Sequence, residues 1–208
     1  MDEINLDKLK NPNAFLGRIT RKVRKIALDS TSEARGKILD VGCGNCLFFI
    51  EMAKKHQLDE KDLFGVDLNL DLLLEARKLA GDNKINLLNI LCGDGVSLPF
   101  KPDTFRYTFC LNTFINLEIS TIKKILAELE RVTTPGGYII IDIRNKANPL
   151  LKLKYFLNRL TNPIKINAYT LKDLLPYIEE SKLKIIKTIN VKVPPFLTVD
   201  KILIIKKE

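Results

Sequence analysis

The chain has 208 residues, 46% of them hydrophobic and 28% charged, which is enough for a full core and ordinary for a globular domain. No apolar run approaches bilayer length, and Met1-Asp2-Glu3-Ile4-Asn5 is acidic without a signal-peptide core, so a cytoplasmic location is the expectation. The formal charge of +9 favours anionic partners (phosphates, carboxylates, nucleic acid or acidic lipid) unless it is only a lysine-rich solvated surface.

Residues 1–32 read as helical, with a break at Asn11-Pro12-Asn13. Phe15, Leu16, Ile19, Val23, Ile26 and Ala27 recur at helical spacing, and Arg18, Arg21, Lys22, Arg24 and Lys25 occupy much of the other face. A strand over 37–41 then runs into Gly42-Cys43-Gly44-Asn45-Cys46, followed by a helix over 46–56. The second strand, 63–67, ends in Asp67, and its helix over 70–80 is capped by Asn69. The third strand, 85–91, leads to Cys92-Gly93-Asp94-Gly95, and the fourth, 105–111, to Asn112-Thr113. A helix follows over 120–132, with Leu117, Ile122, Ile125, Leu126 and Leu129 on its apolar side. Thr134-Pro135-Gly136-Gly137 reads as a turn. The fifth strand, 138–143, is apolar on both faces until Asp142, as in the middle of a parallel sheet.

Residues 144–168 are long and basic, with an apolar helix-like piece over 150–160. Thr170-Leu171-Lys172-Asp173 resembles a capping box, and Pro176 is expected to bend or interrupt the helix that follows. Alternating segments 184–193 and 199–206 flank Pro194-Pro195-Phe196, a link short enough to make them antiparallel. Five strand–helix units and a terminal pair predict an α/β fold: an open, doubly wound sheet. Ligands on such sheets bind beyond the carboxyl ends of the strands, at Gly42 to Cys46, Asp67, Asp94, Asn112 and Arg144.

The chemistry of those positions narrows the ligand. Cys43 and Cys46 form a C-x-x-C, which is either redox-active, half a metal site, or incidental to the turn. The other cysteines, Cys92 and Cys110, lack ligand spacing, and His56 is the single histidine, so no metal is expected. The glycines stand two apart without the G-x-G-x-x-G spacing of dinucleotide sites, and Asp40 precedes them in the strand. A carboxylate there suits an amino group better than a phosphate. Asp67 at the end of the second strand can accept two ribose hydroxyls, unless it is a helix cap. Asp94 can accept from an exocyclic amine, unless it is a turn acid. An amino-acid end, a ribose and an adenine are the parts of S-adenosylmethionine.

Ile38-Leu39-Asp40-Val41-Gly42-Cys43-Gly44, Gly65-Val66-Asp67, Gly93-Asp94-Gly95, Leu98-Pro99-Phe100 and Asp103-Thr104-Phe105 occur in that order. Glu128-Leu129-Glu130-Arg131-Val132 and Pro135-Gly136-Gly137 follow them. Over residues 37–143 the sequence thereby resembles class I S-adenosylmethionine-dependent methyltransferases of the quinone and small-molecule type. The resemblance implies a Rossmann-like seven-stranded sheet with the last strand antiparallel and helices on both faces. It also implies one methyltransferase domain over 1–208: basic cap helices 1–32, a cofactor-binding core 37–143, a lid insert 144–169, and a C-terminal helix and strand pair 170–208. By the same resemblance Gly42, Cys43 and Gly44 lie at the methionine part and Asp40 reaches its amino group. Asp67 holds the ribose, Leu68 packs on the adenine, Asp94 with Gly95 meets the adenine amine, and Asn112 sits near the sulfonium. Cys46 departs from a third glycine common in the family, and a side chain there is expected to narrow the approach.

Methyl transfer is an in-line displacement at a carbon activated by positive sulfur, so proximity, alignment and a dry pocket matter most. S-adenosylhomocysteine is the implied product. Asn112, Asp142, Asn116, Tyr155 and Tyr169 are candidates for a general base by location alone. The cap and the insert are both basic, the latter through Arg144, Lys146, Lys152, Lys154, Arg159 and Lys165, with Phe15, Tyr155, Phe156 and Tyr169 adding apolar surface. That predicts a positive mouth for a small carboxylate- or phosphate-bearing acceptor, with solvated lid lysines as the alternative. RNA, protein, or a membrane lipid or quinone are rival acceptors, and a non-catalytic cofactor-binding regulatory module is the rival outside enzymes. No nucleic-acid-binding module or amino-base methylation motif supports the first of these.

Overall fold

The structure, a computed structural model, describes residues 15–31, 35–56, 58–86, 89–146, 148–149, 151, 169–193 and 197–208. Among the described residues five α-helices pack on seven strands: α1 (Phe15–Asp29), β1 (Ile38–Val41), α2 (Leu47–His56), β2 (Leu63–Asp67), α3 (Leu70–Asp82), β3 (Asn89–Cys92), β4 (Phe105–Cys110), α4 (Ile119–Val132), β5 (Thr133–Arg144), α5 (Leu171–Glu180), β6 (Leu183–Lys192) and β7 (Thr198–Lys207). The sheet order is β3-β2-β1-β4-β5-β7-β6. The pairs from β3 to β5 are parallel, and β7 runs antiparallel to both neighbours. The expected doubly wound sheet with its last strand antiparallel is therefore the observed one. Strand order reverses between β1 and β4, which opens a crevice at their carboxyl ends.

Apolar periodicity builds the two layers. Ile19, Val23 and Ala27 of α1, Phe49 and Met52 of α2, and Leu73, Ala76 and Ala80 of α3 cover one face of the sheet. Ile122, Ile125, Leu126 and Leu129 of α4, with Leu174 and Ile178 of α5, cover the other. Phe48 meets Phe109 of β4 edge-to-face at 4.8 Å, and truncating such a buried ring costs roughly 3–5 kcal/mol. Asn69 caps α3 by accepting the Leu72 N–H at 3.1 Å, as its position predicts. The capping box before α5 also forms, with the Thr170 N–H donating to Asp173 at 2.6 Å.

Four expectations need correction. The link from β3 to β4 carries no helix, so one of the five strand–helix units is missing. It is an irregular loop pinned by aromatic packing, with Phe100 at 4.9 Å from Phe105 and 6.0 Å from Phe64. The third strand starts at Asn89 rather than at 85. Residues 134–137 are not a separate turn but lie within β5, as a bulge facing Arg106 between the Phe105–Thr133 and Tyr107–Tyr138 pairs. Finally, of the two outcomes expected at Pro176, interruption does not occur: α5 runs through it, and both Pro176 and Lys172, whose carbonyl lacks its usual donor, are exposed to water.

Candidate active site

The turn after β1 is built by backbone donors. The Gly42 and Cys43 N–H groups both donate to Val66 O, at 2.7 and 3.2 Å. The Gly44 N–H donates to Asp67 Oδ2 at 2.7 Å, and the Asn69 N–H donates to Asp67 Oδ1 at 2.8 Å. One carboxylate thus joins the glycine turn to the start of α3. Gly42 and Gly44 have φ of +77° and +53°, in the left-handed region that glycine enters freely. Their surroundings differ. A Cβ on Gly42 would lie 2.2 Å from Thr113 Oγ1, whereas one on Gly44 would meet nothing nearer than Leu72 Cδ1 at 3.8 Å. Gly42 therefore admits Thr113, and Gly44 leaves open space above the backbone.

Cys46 also has a left-handed backbone, φ +56°, but its side chain is fully buried in the core under α1 to α3. It does not narrow the approach to the turn, because it points into the protein. Cys43 is buried too, its sulfur seated over Gly65, where a Cβ would come within 2.9 Å. Its hydrogen bond to the Cys46 thiol and its burial push the Cys43 thiol far up, and burial does the same to Cys110, so neither forms a ready thiolate. All four cysteines are free, and no cluster of metal-ligating side chains occurs among the described residues.

Asp40 lies beside Gly65 and Phe109 in the middle of the sheet, 3% exposed. Its Oδ1 has no hydrogen-bond partner among the described residues. Burial, and then the charge of Asp67, hold its carboxyl well above the usual range. A buried carboxylate oxygen without a donor, in the strand that leads to an open glycine, fits a ligand ammonium group. Leu68 is 67% exposed, an unusual setting for leucine and a ready platform for a flat ring. Asp94 is exposed and accepts the Val96 N–H at 3.1 Å, so it is at least a turn acid. Gly95 makes room for Val41, whose Cγ1 would lie 2.8 Å from an added Cβ.

On the far side of the crevice, Asn112 has φ +59° and donates its N–H to Asp142 Oδ1 at 2.5 Å. Its side-chain Oδ1 is buried without a partner. Thr113 fills the space over Gly42 and donates to Val41 O at 3.3 Å, so the Asn112 loop packs directly on the glycine turn. Burial raises the Asp142 carboxyl, opposed by the charge of Arg144 and by the Asn112 N–H. The Tyr169 hydroxyl donates to Leu117 O at 2.8 Å, a bond that ties the segment before α5 to the loop after β4. Tyr155 and the Asn116 side chain lie outside the described residues, as do Phe156 and most of the basic insert. On α1, Arg18, Arg21, Lys22 and Lys25 are exposed, with Lys22 Nζ donating to Lys192 O at 2.8 Å.

Two neighbours of Asp142 carry more weight than the sequence assigned them. Arg144 ends β5, and Asp200 lies opposite it on β7. Both are buried, with Arg144 Nε 3.3 Å from Asp200 Oδ2. An acid inside Val199-Asp200-Lys201-Ile202-Leu203, at the inward phase of the strand, was the available signal.

Comparison with known proteins agrees with this fold. A family model described as a methyltransferase domain matches residues 38–137. A demethylmenaquinone methyltransferase of Bacillus subtilis (strain 168) is 29% identical over 104 residues, which are 50% of this chain and 43% of that protein. An uncharacterized methyltransferase of Schizosaccharomyces pombe is 31% identical over 109 residues, 50% of this chain and 38% of that protein. The chain thus spans less than half the length of these curated relatives. A crystal structure of a Pyrococcus horikoshii OT3 protein superposes with a TM-score of 0.73 at 18% identity, over 95% of this chain and 94% of that one. Magnesium protoporphyrin IX methyltransferase from Synechocystis PCC 6803, solved with bound SAH, gives 0.72 at 16% identity, over 100% of this chain and 90% of that one. Residues 38–137 match a methyltransferase domain, and the chain carries the fold of the class I S-adenosylmethionine-dependent methyltransferases.

Proposed function

We propose that the chain binds S-adenosylmethionine across the carboxyl ends of β1 and β2 and methylates a small, anionic acceptor. The carrying observation is Asp40, whose buried Oδ1 lacks a donor, beside a turn that is open above Gly44 and fixed by Asp67. Asp40 receives the ammonium group, and Gly44 with Gly42 and Cys43 supports the methionine part. Asp67 keeps a lone pair on each oxygen after its two backbone bonds, enough for the ribose hydroxyls. Leu68 stacks on the adenine, and Asp94 with Gly95 borders its amine. The cofactor supplies a methyl carbon already activated by a positive sulfur. The chain's contribution is alignment, on the order of 7–11 kcal/mol where geometry is good. Asn112 borders the transfer point, held there by Asp142. If the acceptor loses a proton, Asp142, whose burial strengthens its hold on a proton, is the candidate to take it.

The net charge of +9 supports an anionic acceptor through steering. The demethylmenaquinone methyltransferases among the relatives favour one second reading, a quinone-type acceptor taken from a membrane surface. Free thiols suit a reducing compartment, and a cytoplasmic setting goes with either reading. Calorimetry with S-adenosylmethionine tests the core of the proposal. Asp67→Ala should weaken binding by about 10- to 100-fold, the worth of hydrogen bonds to a charged group. Absence of binding to the wild-type protein at millimolar cofactor sinks the proposal. A product-release screen over pooled metabolites, RNA and quinone-bearing vesicles then assigns the acceptor.

A further inference from the structure

Behind the transfer point the described residues hold a second group of buried charges with poor internal pairing. Asp142, Arg144 and Asp200 are 2%, 3% and 0% exposed. Arg144 and Asp200 are register partners at the carboxyl end of β5, on the sheet face that also carries Ile140 and Ile202. The guanidinium is within ion-pair distance of Asp200 through Nε alone, at 3.3 Å, and Nε, Nη1 and Nη2 all lack a hydrogen-bond partner among the described residues. Asp200 is engaged elsewhere: its Oδ1 accepts the Lys201 N–H at 2.7 Å, and its carboxyl shares a hydrogen bond with Asp142. Asp142 is likewise engaged elsewhere, with Oδ1 on the Asn112 N–H.

A structural arginine pair normally places two parallel N–H groups on one carboxylate, and a buried guanidinium left without acceptors is costly. Here two acids adjoin the guanidinium and neither takes the Nη edge. Burial and the charge of Asp142 also raise the Asp200 carboxyl well above the usual range, against the opposing charge of Arg144, so neither acid is a well-solvated counter-ion for the guanidinium. The four Nη hydrogens lie in one plane, a geometry that matches the two oxygens of a carboxylate or phosphate. The site is one hydrogen bond from Asn112, whose neighbour Thr113 rests on the glycine turn.

We infer that the Nη1/Nη2 edge of Arg144 receives the oxyanion of the methyl acceptor, a carboxylate or phosphate, while Asp142 and Asp200 orient the guanidinium. This rests on the methyltransferase reading above and gives the expected anion a specific seat. Burial separates Arg144 from the exposed basic residues of α1.

Wild-type protein saturated with S-adenosylhomocysteine is titrated with benzoate, phenyl phosphate and the neutral isostere benzamide. The readout is the side-chain nitrogen NMR signal of Arg144, assigned by its loss in Arg144→Lys. A saturable shift with benzoate or phenyl phosphate and none with benzamide is the expected result, and the tighter of the two anions identifies the acceptor's group. Arg144→Met should weaken that anion about tenfold or more, with S-adenosylhomocysteine calorimetry showing that the variant is folded. If Arg144→Met does not fold, the wild-type titration still decides. No shift at millimolar anion, or equal anion affinity in Arg144→Met, overturns the inference while leaving cofactor binding intact. Failure of the wild-type protein to bind S-adenosylhomocysteine removes the methyltransferase reading itself, and the inference with it.

Discussion

Gly42→Ala and Gly44→Ala should fail in different ways, although the two glycines share a turn. Both backbones are left-handed, at φ +77° and +53°, so each alanine incurs about 1–2 kcal/mol of conformational strain. The unfolded chain also loses freedom, which returns about 0.4–1 kcal/mol. At Gly44 nothing more is added, since the new Cβ meets only Leu72 Cδ1 at 3.8 Å. At Gly42 the Cβ would overlap Thr113, 2.2 Å from Oγ1 and 2.7 Å from Cγ2. Thr113 must then move and give up its 3.3 Å bond to Val41 O, a further loss of about 0.5–1.5 kcal/mol before any strain in β1. Gly42→Ala should therefore destabilise the cofactor-free protein by roughly 0.5–3 kcal/mol plus any strain in β1, and Gly44→Ala by about 0–1.6 kcal/mol, with Gly42→Ala the larger of the two. Cofactor affinity should show the reverse order, because the Gly44 methyl group projects into the open space. Urea unfolding and calorimetry measure the two quantities, and Thr113→Ala should recover the part of the Gly42→Ala loss that comes from displacing Thr113, about 0.5–1.5 kcal/mol. Equal destabilisation by the two alanines, or no recovery with Thr113→Ala, would refute the assignment of Gly42 to packing and Gly44 to the ligand.

Asp40 and Asp200 give the cofactor-free protein an unusual pH response. Both hold their protons more tightly folded than unfolded, so the stability they carry is complete below the ordinary carboxylate value of 3.8 and falls as pH rises through their folded values. Asp200→Asn cannot titrate there, and its urea midpoint should decline less between about pH 4 and about pH 8 than that of the wild type; parallel declines would contradict the raised Asp200 value. Arg131→Met should cost about 1–3 kcal/mol. Arg131 bonds both Glu128 oxygens at 2.7 Å, and the carbonyls of Phe100 and Leu98 at 2.7 and 3.0 Å. Hydrogen exchange should accelerate in residues 93–104 of that variant, and unchanged exchange there would show that the aromatic cluster alone holds the loop.

Strand identity and order were legible because each parallel strand is a short apolar run ended by a polar or glycine signal. Ile38-Leu39-Asp40-Val41 before Gly42 is the clearest example. The bulge in β5 was not legible, since Pro135-Gly136-Gly137 satisfies the chemistry of a turn and of a bulge alike, and only pairing with Phe105 and Tyr107 separates them. Within the site, the acids at strand ends could be placed from sequence, whereas the partners of the glycines could not. That Gly42 faces Thr113 depends on how the loop after β4 folds back over β1, across 71 residues (113 minus 42). Asp200 carried a signal in its inward phase, but its burial beside Arg144 follows only from the place of β7 between two other strands.

The placement of β7 between β5 and β6 also bears on the order in which the sheet can assemble. β6 pairs with β7 and with no other described strand, and β7 supplies the second hydrogen-bonding edge of β5. As the chain leaves the ribosome, the five parallel strands can associate once residues up to 144 are available. β6 must then wait, made but unpaired, until residues 198–207 emerge to fill the gap. Until that moment β5 presents an open apolar edge of Ile139 to Ile143, the kind of surface that recruits a neighbouring chain. The final strand is thus the step that converts an adhesive intermediate into a closed protein, and the slow phase of refolding should track its insertion.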